Sequence, residues 1–143
     1  MKHSPRRWRR DAGATLLEIL VVLSIIALLA AVVGPRVVGY LGKAKSTTTE
    51  LQLDNLKVAV ELFYVDVGRY PTEEEGLSAL LVAPASTPNW SGPYLDAADA
   101  LSDPWDRNYV YQAPGEEGRP FTIFSLGRDG AEGGEGEDAD LRI

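Results

Sequence analysis

Cysteine is absent from the 143 residues, and histidine occurs once, as His3. Without cysteine the chain cannot form disulfide bonds, thiolate metal sites or a cysteine nucleophile. Without a histidine after His3, the body of the chain lacks imidazole general bases, serine–histidine pairs and histidine metal ligands. These absences remove the usual components of a hydrolase and predict that the protein is not an enzyme.

Positive charge is scarce after the first thirteen residues. Five Lys and Arg residues stand against one Asp in residues 1–13, whereas nine stand against twenty Asp and Glu residues in residues 14–143. An acidic body binds nucleic acid poorly, so we expect no nucleic-acid partner. With 45% hydrophobic residues, the chain suffices for one membrane segment and one small globular domain.

The longest apolar run covers residues 14–33. As a helix it would be about 30 Å long, which matches the hydrocarbon thickness of a bilayer. The basic residues before it favour a cytoplasmic amino terminus, with the acidic remainder across the membrane. Glu18 is an anomaly within this run, because a charge in a membrane segment is costly and by default functional. A secretory signal cleaved near Ala31, and a membrane-edge glutamate that reaches into water, are the alternatives.

The segment Gly13-Ala14-Thr15-Leu16-Leu17-Glu18, followed by the apolar run, resembles the class III signal of type IV pilins and pseudopilins. The resemblance implies that a prepilin peptidase removes residues 1–13 by cutting after Gly13. It also implies that Ala14 becomes an N-methylated amino terminus, at a position where most members carry phenylalanine or methionine. Thr15 and Glu18 would then act in assembly, the glutamate by neutralising the terminal amine of a neighbouring subunit.

Helical periodicity continues beyond the apolar run. Gly34-Pro35 permits an end, a kink or local melting of the helix. Farther on, apolar side chains recur at spacings of three and four and form one stripe: Leu53, Leu56, Val60, Phe63 and Val67. We therefore predict one helix over residues 14–67, apolar on all sides in its first half and amphipathic in its second, with Gly68 as its stop.

The remainder predicts a short second helix and a small antiparallel sheet. Thr72 and Glu75 have the spacing of a capping box, and the helix behind it would bury three leucines, Leu77, Leu80 and Leu81. Residues 83–106 form an irregular loop, which we expect Trp90 and Trp105 to anchor. Residues 109–111 and 121–124 have the composition of strands.

Carboxylates and glycines crowd residues 127–140. Such a loop can supply oxygen ligands to a hard cation, and a solvated acidic tail is the alternative. Ser-Leu-Gly-x-Asp-Gly, followed by Gly-Gly-x-Gly and Asp-Ala-Asp, resembles the calcium loop of the major pseudopilins of type II secretion. The resemblance implies calcium as the cofactor, bound by the carboxylates of Asp129, Asp138 and Asp140 and by the Leu126 carbonyl.

These resemblances identify the chain as a member of the general secretion protein G family. They imply an α+β, pilin-like fold: a long amino-terminal helix packed on a small antiparallel sheet, with a short second helix and a calcium-binding loop. Residues 1–13 would be the cleaved leader and residues 14–34 the transmembrane or filament-core half of the helix. Residues 35–143 would be the periplasmic globular domain, including the amphipathic half of the helix.

The implied function is that of a major pseudopilin. Anchored once in the inner membrane, with its carboxy-terminal domain in the periplasm, it would polymerise into a pseudopilus that drives folded proteins across the outer membrane. Its implied partners are other copies of itself, the prepilin peptidase, minor pseudopilins and the inner-membrane assembly platform. A minor or adhesive type IV pilin and a monomeric, membrane-anchored calcium-binding module are the alternatives.

Overall fold

The computed structural model describes residues 15–143. Its longest element is helix α1, Leu16–Val67, which continues through Pro35. Proline lacks one amide donor, but the hydrogen-bonded turns on either side keep the segment helical. The prediction of a single long helix is confirmed. The contact pattern divides the chain between Val38 and Gly39 into two compact units, and the sheet belongs to the second.

Helix α1 ends at the predicted glycine. Gly68 has a φ of 82°, in the left-handed region that favours glycine, and its amide donates to the Tyr64 carbonyl at 2.8 Å. This bond satisfies one of the carbonyls that a helix end leaves free. The chain therefore leaves the helix at Gly68 and continues to the short helix that follows.

The core forms on one face of the amphipathic half of α1. That face consists of side chains that are at most 2% exposed: Leu53, Leu56, Ala59, Val60 and Phe63. Buried side chains from the rest of the globular unit pack against it: Leu77, Leu80, Tyr109, Tyr111, Phe121 and Ile123. The predicted stripe is confirmed, and its last member, Val67, is partly buried.

The sheet has three short antiparallel strands in the order β1, β2, β3. They are β1 (Val110–Gln112), β2 (Thr122–Ser125) and β3 (Leu141–Arg142). The first two confirm the predicted strands with a shift of one residue. The third was not predicted, because two residues cannot produce an alternation pattern. Since β3 pairs with β2, residues 126–140 form a loop whose two ends are held together.

The predicted capping box follows α1. The Glu75 amide donates to the Thr72 hydroxyl at 3.2 Å, and the Thr72 amide donates to the Glu75 carboxylate at 2.9 Å. The Arg69 guanidinium donates to both Glu75 oxygens at 2.6 and 2.7 Å. These hydrogen bonds to Arg69 are the main reason that the pKa of Glu75 is lowered.

The second helix is a 3₁₀ helix, Gly76–Leu80, rather than a turn of α-helix. Five residues are too few to make nucleation of an α-helix favourable, and short segments commonly adopt the tighter form. It buries Leu77 and Leu80, as predicted, whereas Leu81 is half-buried. Trp90 anchors the following loop by donating its indole N–H to the Ala79 carbonyl at 2.9 Å.

Candidate functional site

Helix α1 begins with a side-chain cap. The Thr15 hydroxyl accepts a hydrogen bond from the Glu18 amide at 3.2 Å, and the Thr15 carbonyl accepts one from the Ile19 amide at 3.1 Å. Thr15 is therefore the N-cap, and Glu18 stands three residues later, as in one half of a capping box. The Thr-x-x-Glu pattern that predicted the Thr72 cap also occurs at Thr15. The sequence prediction did not use it and placed the helix start at residue 14, two residues before the observed start at Leu16.

Glu18 lies in the first turn of α1, and its side chain is exposed. Free amides give a helix start a partial positive charge, which stabilises a nearby acid by about 0.3–1 kcal/mol. That is less than the cost of about 2.5 kcal/mol or more for a carboxylate deep in hydrocarbon. In a membrane Glu18 therefore still requires a proton or a cationic partner. The predicted cleavage residues, Gly13 and Ala14, lie outside the described residues.

The first half of α1 has a continuous apolar surface. Its Leu, Ile and Val side chains between Leu16 and Val33 are 47–87% exposed. An 18-residue window here has a mean hydropathy of 3.0, and within residues 15–143 only α1 is long and apolar enough to cross a membrane. The Ser24 hydroxyl donates to the Leu20 carbonyl at 2.7 Å, so its proton is satisfied within the helix. This surface requires lipid or other apolar helices around it.

The four predicted calcium ligands lie in the loop between β2 and β3. The Leu126 carbonyl accepts from the Gly130 amide at 3.2 Å, and the Asp129 carboxylate accepts from the Ala131 amide at 3.1 Å. Within residues 15–143, no three or more Asp, Glu, His or Cys side chains are grouped so that they could hold a metal ion. The fold thus places the four residues in one loop without drawing their side chains into a cluster.

Two arginines bind the carboxylates of this loop. The Arg128 guanidinium donates to both Asp138 oxygens at 2.8 and 2.9 Å, and these bonds raise the pKa of Arg128. Arg142 donates to Asp140 Oδ2 at 3.1 Å, and the Gly133 amide donates to the same oxygen at 3.1 Å. The sequence interpretation gave neither arginine a role. Charge-assisted pairs of this kind are the common way to compensate neighbouring carboxylates.

One loop carboxylate oxygen has no such compensation. Asp140 Oδ1 is buried and has no hydrogen-bond partner within the described part of the chain, and the Asp140 side chain is 9% exposed. A buried carboxylate oxygen without a donor is costly unless a cation or a proton compensates it. Oxygen ligands on a glycine-rich backbone are the donors that calcium prefers. The Asp140 oxygen is thus a donor suited to a hard cation, whereas both Asp138 oxygens are bound by Arg128 and the loop carboxylates are not grouped around one point in the described residues.

A buried aspartate that was not predicted as a site residue, although Asp103-Pro104-Trp105 resembles the strand entry of the family, fixes the base of the loop. Asp103 is 4% exposed, and its Oδ1 accepts from two amides of its own turn at 3.0 Å, while its Oδ2 accepts from the Ser125 hydroxyl at 2.6 Å. From the same turn, the Arg107 guanidinium donates to the carbonyls of Gly127, at 2.7 Å, and Arg128. Asp-Pro predicts a turn, but nothing local identifies Ser125 as its partner.

Comparison with known families assigns both halves of the chain. A sequence model of the family described as "Type II secretion system (T2SS), protein G" matches residues 36–143. A second, described as "Prokaryotic N-terminal methylation motif", matches residues 8–34. The methylation motif thus coincides with Thr15, Glu18 and the apolar half of α1, and the protein G match begins at the residue after Pro35.

Individual relatives agree with these matches. The type II secretion system core protein G of Pseudomonas aeruginosa is 39% identical over 137 residues, which cover 93% of this chain and 94% of the relative. The protein of the same name from Vibrio cholerae is 36% identical over 139 residues, with 95% and 93% coverage. The crystal structure of the major pseudopilin from the type 2 secretion system of enterohaemorrhagic Escherichia coli superposes with a TM-score of 0.59 at 30% identity. That superposition covers 73% of this chain and 90% of the pseudopilin.

Proposed function

The chain belongs to the type II secretion system protein G family and has the role of a major pseudopilin in type II secretion, and we propose that it is a single-pass inner-membrane subunit with a periplasmic globular domain. The observation that carries this proposal is the exposed apolar half of α1, which begins directly after the Thr15 cap and contains Glu18 in its first turn. One such helix spans a bilayer once. The basic residues of the leader favour a cytoplasmic amino terminus.

In the proposed pseudopilus, copies of the chain assemble through the apolar halves of their α1 helices. Close packing of these helices gives each exposed Leu, Ile and Val side chain a protein neighbour in place of lipid. Elongation of this homopolymer drives folded proteins from the periplasm across the outer membrane. Minor pseudopilins and an inner-membrane assembly platform are its proposed partners.

Proteolytic maturation supplies the partner that Glu18 lacks. We propose that the prepilin peptidase cuts after Gly13 and that the new amino group, on an N-methylated Ala14, is the cation that the Glu18 carboxylate of a neighbouring subunit pairs with. Such a pair contributes little net stability, because both charges lose water. It does penalise a subunit added out of register, which would leave both charges unpaired.

Mass spectrometry of the protein purified from membranes tests the maturation step. We expect a mature chain that begins at Ala14 and carries one additional methyl group on its amino terminus. A Gly13→Ala variant, in which the residue before the cut is altered, serves as the control and should retain the leader. An unmodified terminus at Met1, or cleavage near Ala31, would contradict the proposal.

The carboxy-terminal loop is the proposed calcium site, with ligands from Asp129, Asp138, Asp140 and the Leu126 carbonyl. Its support is the buried, unpartnered Asp140 oxygen and the oxygen-only donor set of the loop. A bound calcium ion would neutralise the carboxylates and fasten the loop between β2 and β3, which serves the purpose of a disulfide in a chain without cysteine.

Thermal unfolding of the full-length protein in detergent micelles tests this site. We expect chelation to lower the unfolding midpoint and calcium, rather than magnesium, to restore it. Asp140→Asn should abolish the response, whereas Glu132→Gln, which alters an exposed acid of the same loop, should preserve it. If calcium does not change the midpoint of the unmodified protein, the loop is a solvated acidic segment.

A further inference from the structure

Helix α1 contains three glycines, Gly34, Gly39 and Gly42, and only Gly42 is buried. A methyl group added to Gly42 would overlap the side chain of Glu137, both at its carboxylate and at Cγ. Nothing lies within 4 Å of a methyl group added to Gly34 or Gly39. The Glu137 side chain therefore lies against bare main chain, at a point on α1 that has no side chain of its own.

Glycine in a helix interior is destabilising relative to alanine, so a buried helical glycine usually has a packing reason. At Gly42 the reason is visible, because any side chain there would occupy the space of Glu137. At Gly39 the same helix has open space. The two positions differ in their contact with the carboxy-terminal loop and share their helical environment, which makes Gly39 a matched control.

We propose that Gly42 is a positioning residue for the carboxy-terminal loop. It forms a notch in α1, the main chain at residue 42, and Glu137 lies in this notch. The Glu137 carbonyl also accepts from the Arg128 amide at 2.8 Å, so its main chain is bound to the start of the loop while its side chain lies against α1. The notch thereby fixes the backbone that carries Asp138 and Asp140. For its effect on calcium the inference rests on the proposed calcium site, and for its structural part it rests on this contact alone.

The other end of the loop is held from outside as well. Arg107 donates to the carbonyls of Gly127 and Arg128. Two anchors, Arg107 at the start of the loop and the Gly42 notch near its end, therefore restrict the conformations of the segment between them. Ligands that are positioned before binding lose less conformational entropy when a cation binds. Removing the notch should weaken calcium binding although every ligand remains.

The test compares five forms of the full-length chain in detergent micelles: the unmodified protein, Gly42→Ala, Glu137→Ala, the double variant, and Gly39→Ala. Calorimetry measures calcium affinity, and hydrogen exchange measures the protection of residues 127–140 in chelator. We expect Gly42→Ala to weaken calcium binding roughly three- to tenfold and to reduce loop protection. Gly39→Ala should leave both unchanged and raise the unfolding midpoint by about 4 °C.

The double variant isolates the contact. Once Glu137 is truncated, Gly42→Ala displaces nothing, so we expect no loss beyond that of Glu137→Ala alone. Two results would overturn the notch. One is a loss of calcium affinity in the double variant that equals the sum of the two single losses. The other is the same calcium affinity and loop protection in Gly42→Ala as in Gly39→Ala. If Gly42→Ala fails to fold, the calcium affinity and loop protection of Glu137→Ala test the notch instead, because this variant removes the same contact without altering the helix. Values equal to those of the unmodified protein would then overturn the notch.

The two proposals fail in different ways. If the unmodified protein does not bind calcium, the calcium site is wrong, and hydrogen exchange in chelator then decides the notch. Reduced protection of residues 127–140 in Gly42→Ala supports it, and protection equal to that of Gly39→Ala overturns it. If calcium binds the unmodified protein and Gly42→Ala with the same affinity, the calcium site stands and the notch is wrong.

Discussion

Glu18 and Asp140 are two carboxylates with an oxygen that no donor side chain of the described chain binds. Glu18 is exposed at the capped start of α1, in a largely apolar surface rich in Leu, Ile and Val. Asp140 is almost fully buried, with one oxygen bound and the other free of hydrogen bonds in the described chain. Under the proposed function each is a position for a cation from outside the fold: the terminal amine of a neighbouring subunit at Glu18, and calcium at Asp140.

Glu18→Ala should reduce filament assembly at least about tenfold, because the neighbouring amine then lies unpaired in an apolar interior. Its folded domain should unfold at an unchanged temperature, since the described contacts of Glu18 are confined to the first turn of α1. Electron microscopy of filaments and thermal unfolding measure the two effects. Ser24→Ala, which removes a self-satisfied hydroxyl from the same apolar segment, should assemble normally. Normal filaments from Glu18→Ala would exclude the charge-pairing mechanism.

At the scale of elements, local patterns were predictable from the sequence and distant pairings were not. The stripe around Leu56, the Gly68 stop and the Thr72 cap each depend on residues within about one helical turn of one another, so their spacing identifies them. The contacts of Asp103 with Ser125 and of Gly42 with Glu137 join residues far apart in sequence. No single-sequence pattern encodes such pairs, because the tertiary fold alone brings them together.

The side-chain pairing inside the acidic loop, residues 126–140, could not be predicted either, because it depends on how the loop folds. Its composition and position identified it as a candidate cation site, and Asp138 was chosen by resemblance. The guanidinium of Arg128, ten residues away, holds both Asp138 oxygens. An arginine can pair with any of several nearby carboxylates, and only the turns of the loop select Asp138. The role of the loop in binding a metal remains a prediction.

Arg128→Gln should tighten calcium binding about two- to fivefold, if the proposed site exists. Calcium must displace Arg128 to reach both Asp138 oxygens, and an exposed, solvent-screened ion pair of this kind opposes that displacement only weakly. Calorimetry on the full-length protein measures the affinity. Arg119→Gln, which alters an arginine outside the loop, is the control. Weaker binding by Arg128→Gln would mean that the guanidinium positions Asp138 instead of competing with the ion.

Glu75 connects the end of α1 to the 3₁₀ helix, and its effect on stability should depend on pH. Because Arg69 lowers the pKa of Glu75 below its usual value of 4.5, Glu75 stabilises the fold above that pH. The contribution is lost as the pH falls through the lower, folded-state pKa. Glu75→Gln should therefore cost about 1 kcal/mol at neutral pH, from cap and ion pair together, and progressively less in acid.

Thermal unfolding at neutral pH and at about pH 2 measures this difference. Glu74→Gln changes an adjacent, exposed acid and should behave like the unmodified protein at both pH values. A cost for Glu75→Gln that is the same at both pH values would assign the effect to packing rather than to the Arg69 pair.

At the scale of the whole molecule, the two compact units have opposite relations to solvent. The unit that ends at Val38 exposes its apolar side chains, whereas the unit that begins at Gly39 contains the hydrophobic core. Folding and assembly therefore draw on different side chains. The contribution of the core to folding can be tested within α1 itself, because a core residue and a surface residue are adjacent in its amphipathic half.

Phe63 and Leu62 form such a matched pair. Phe63 is 0% exposed and Leu62 is 50% exposed. Phe63→Ala should destabilise the globular domain by about 3–5 kcal/mol, because it removes buried surface and leaves a cavity. Leu62→Ala should change stability by less than about 1 kcal/mol. Thermal unfolding of both variants in micelles measures the difference, and similar midpoints would contradict the burial of this helix face.

The pairing of β2 with β3 has an entropic consequence for the acidic loop. A segment whose ends are free must bring them together before it can surround a ligand. This loop closure costs conformational entropy, and the cost in free energy grows with the logarithm of the segment's length. In this chain the pairing of Ser125 with Leu141, together with the two hydrogen bonds between Ile123 and Ile143, closes the loop during folding. If the proposed calcium site exists, the loop should gain and release its ion as a local event, while the strands that define its ends stay paired.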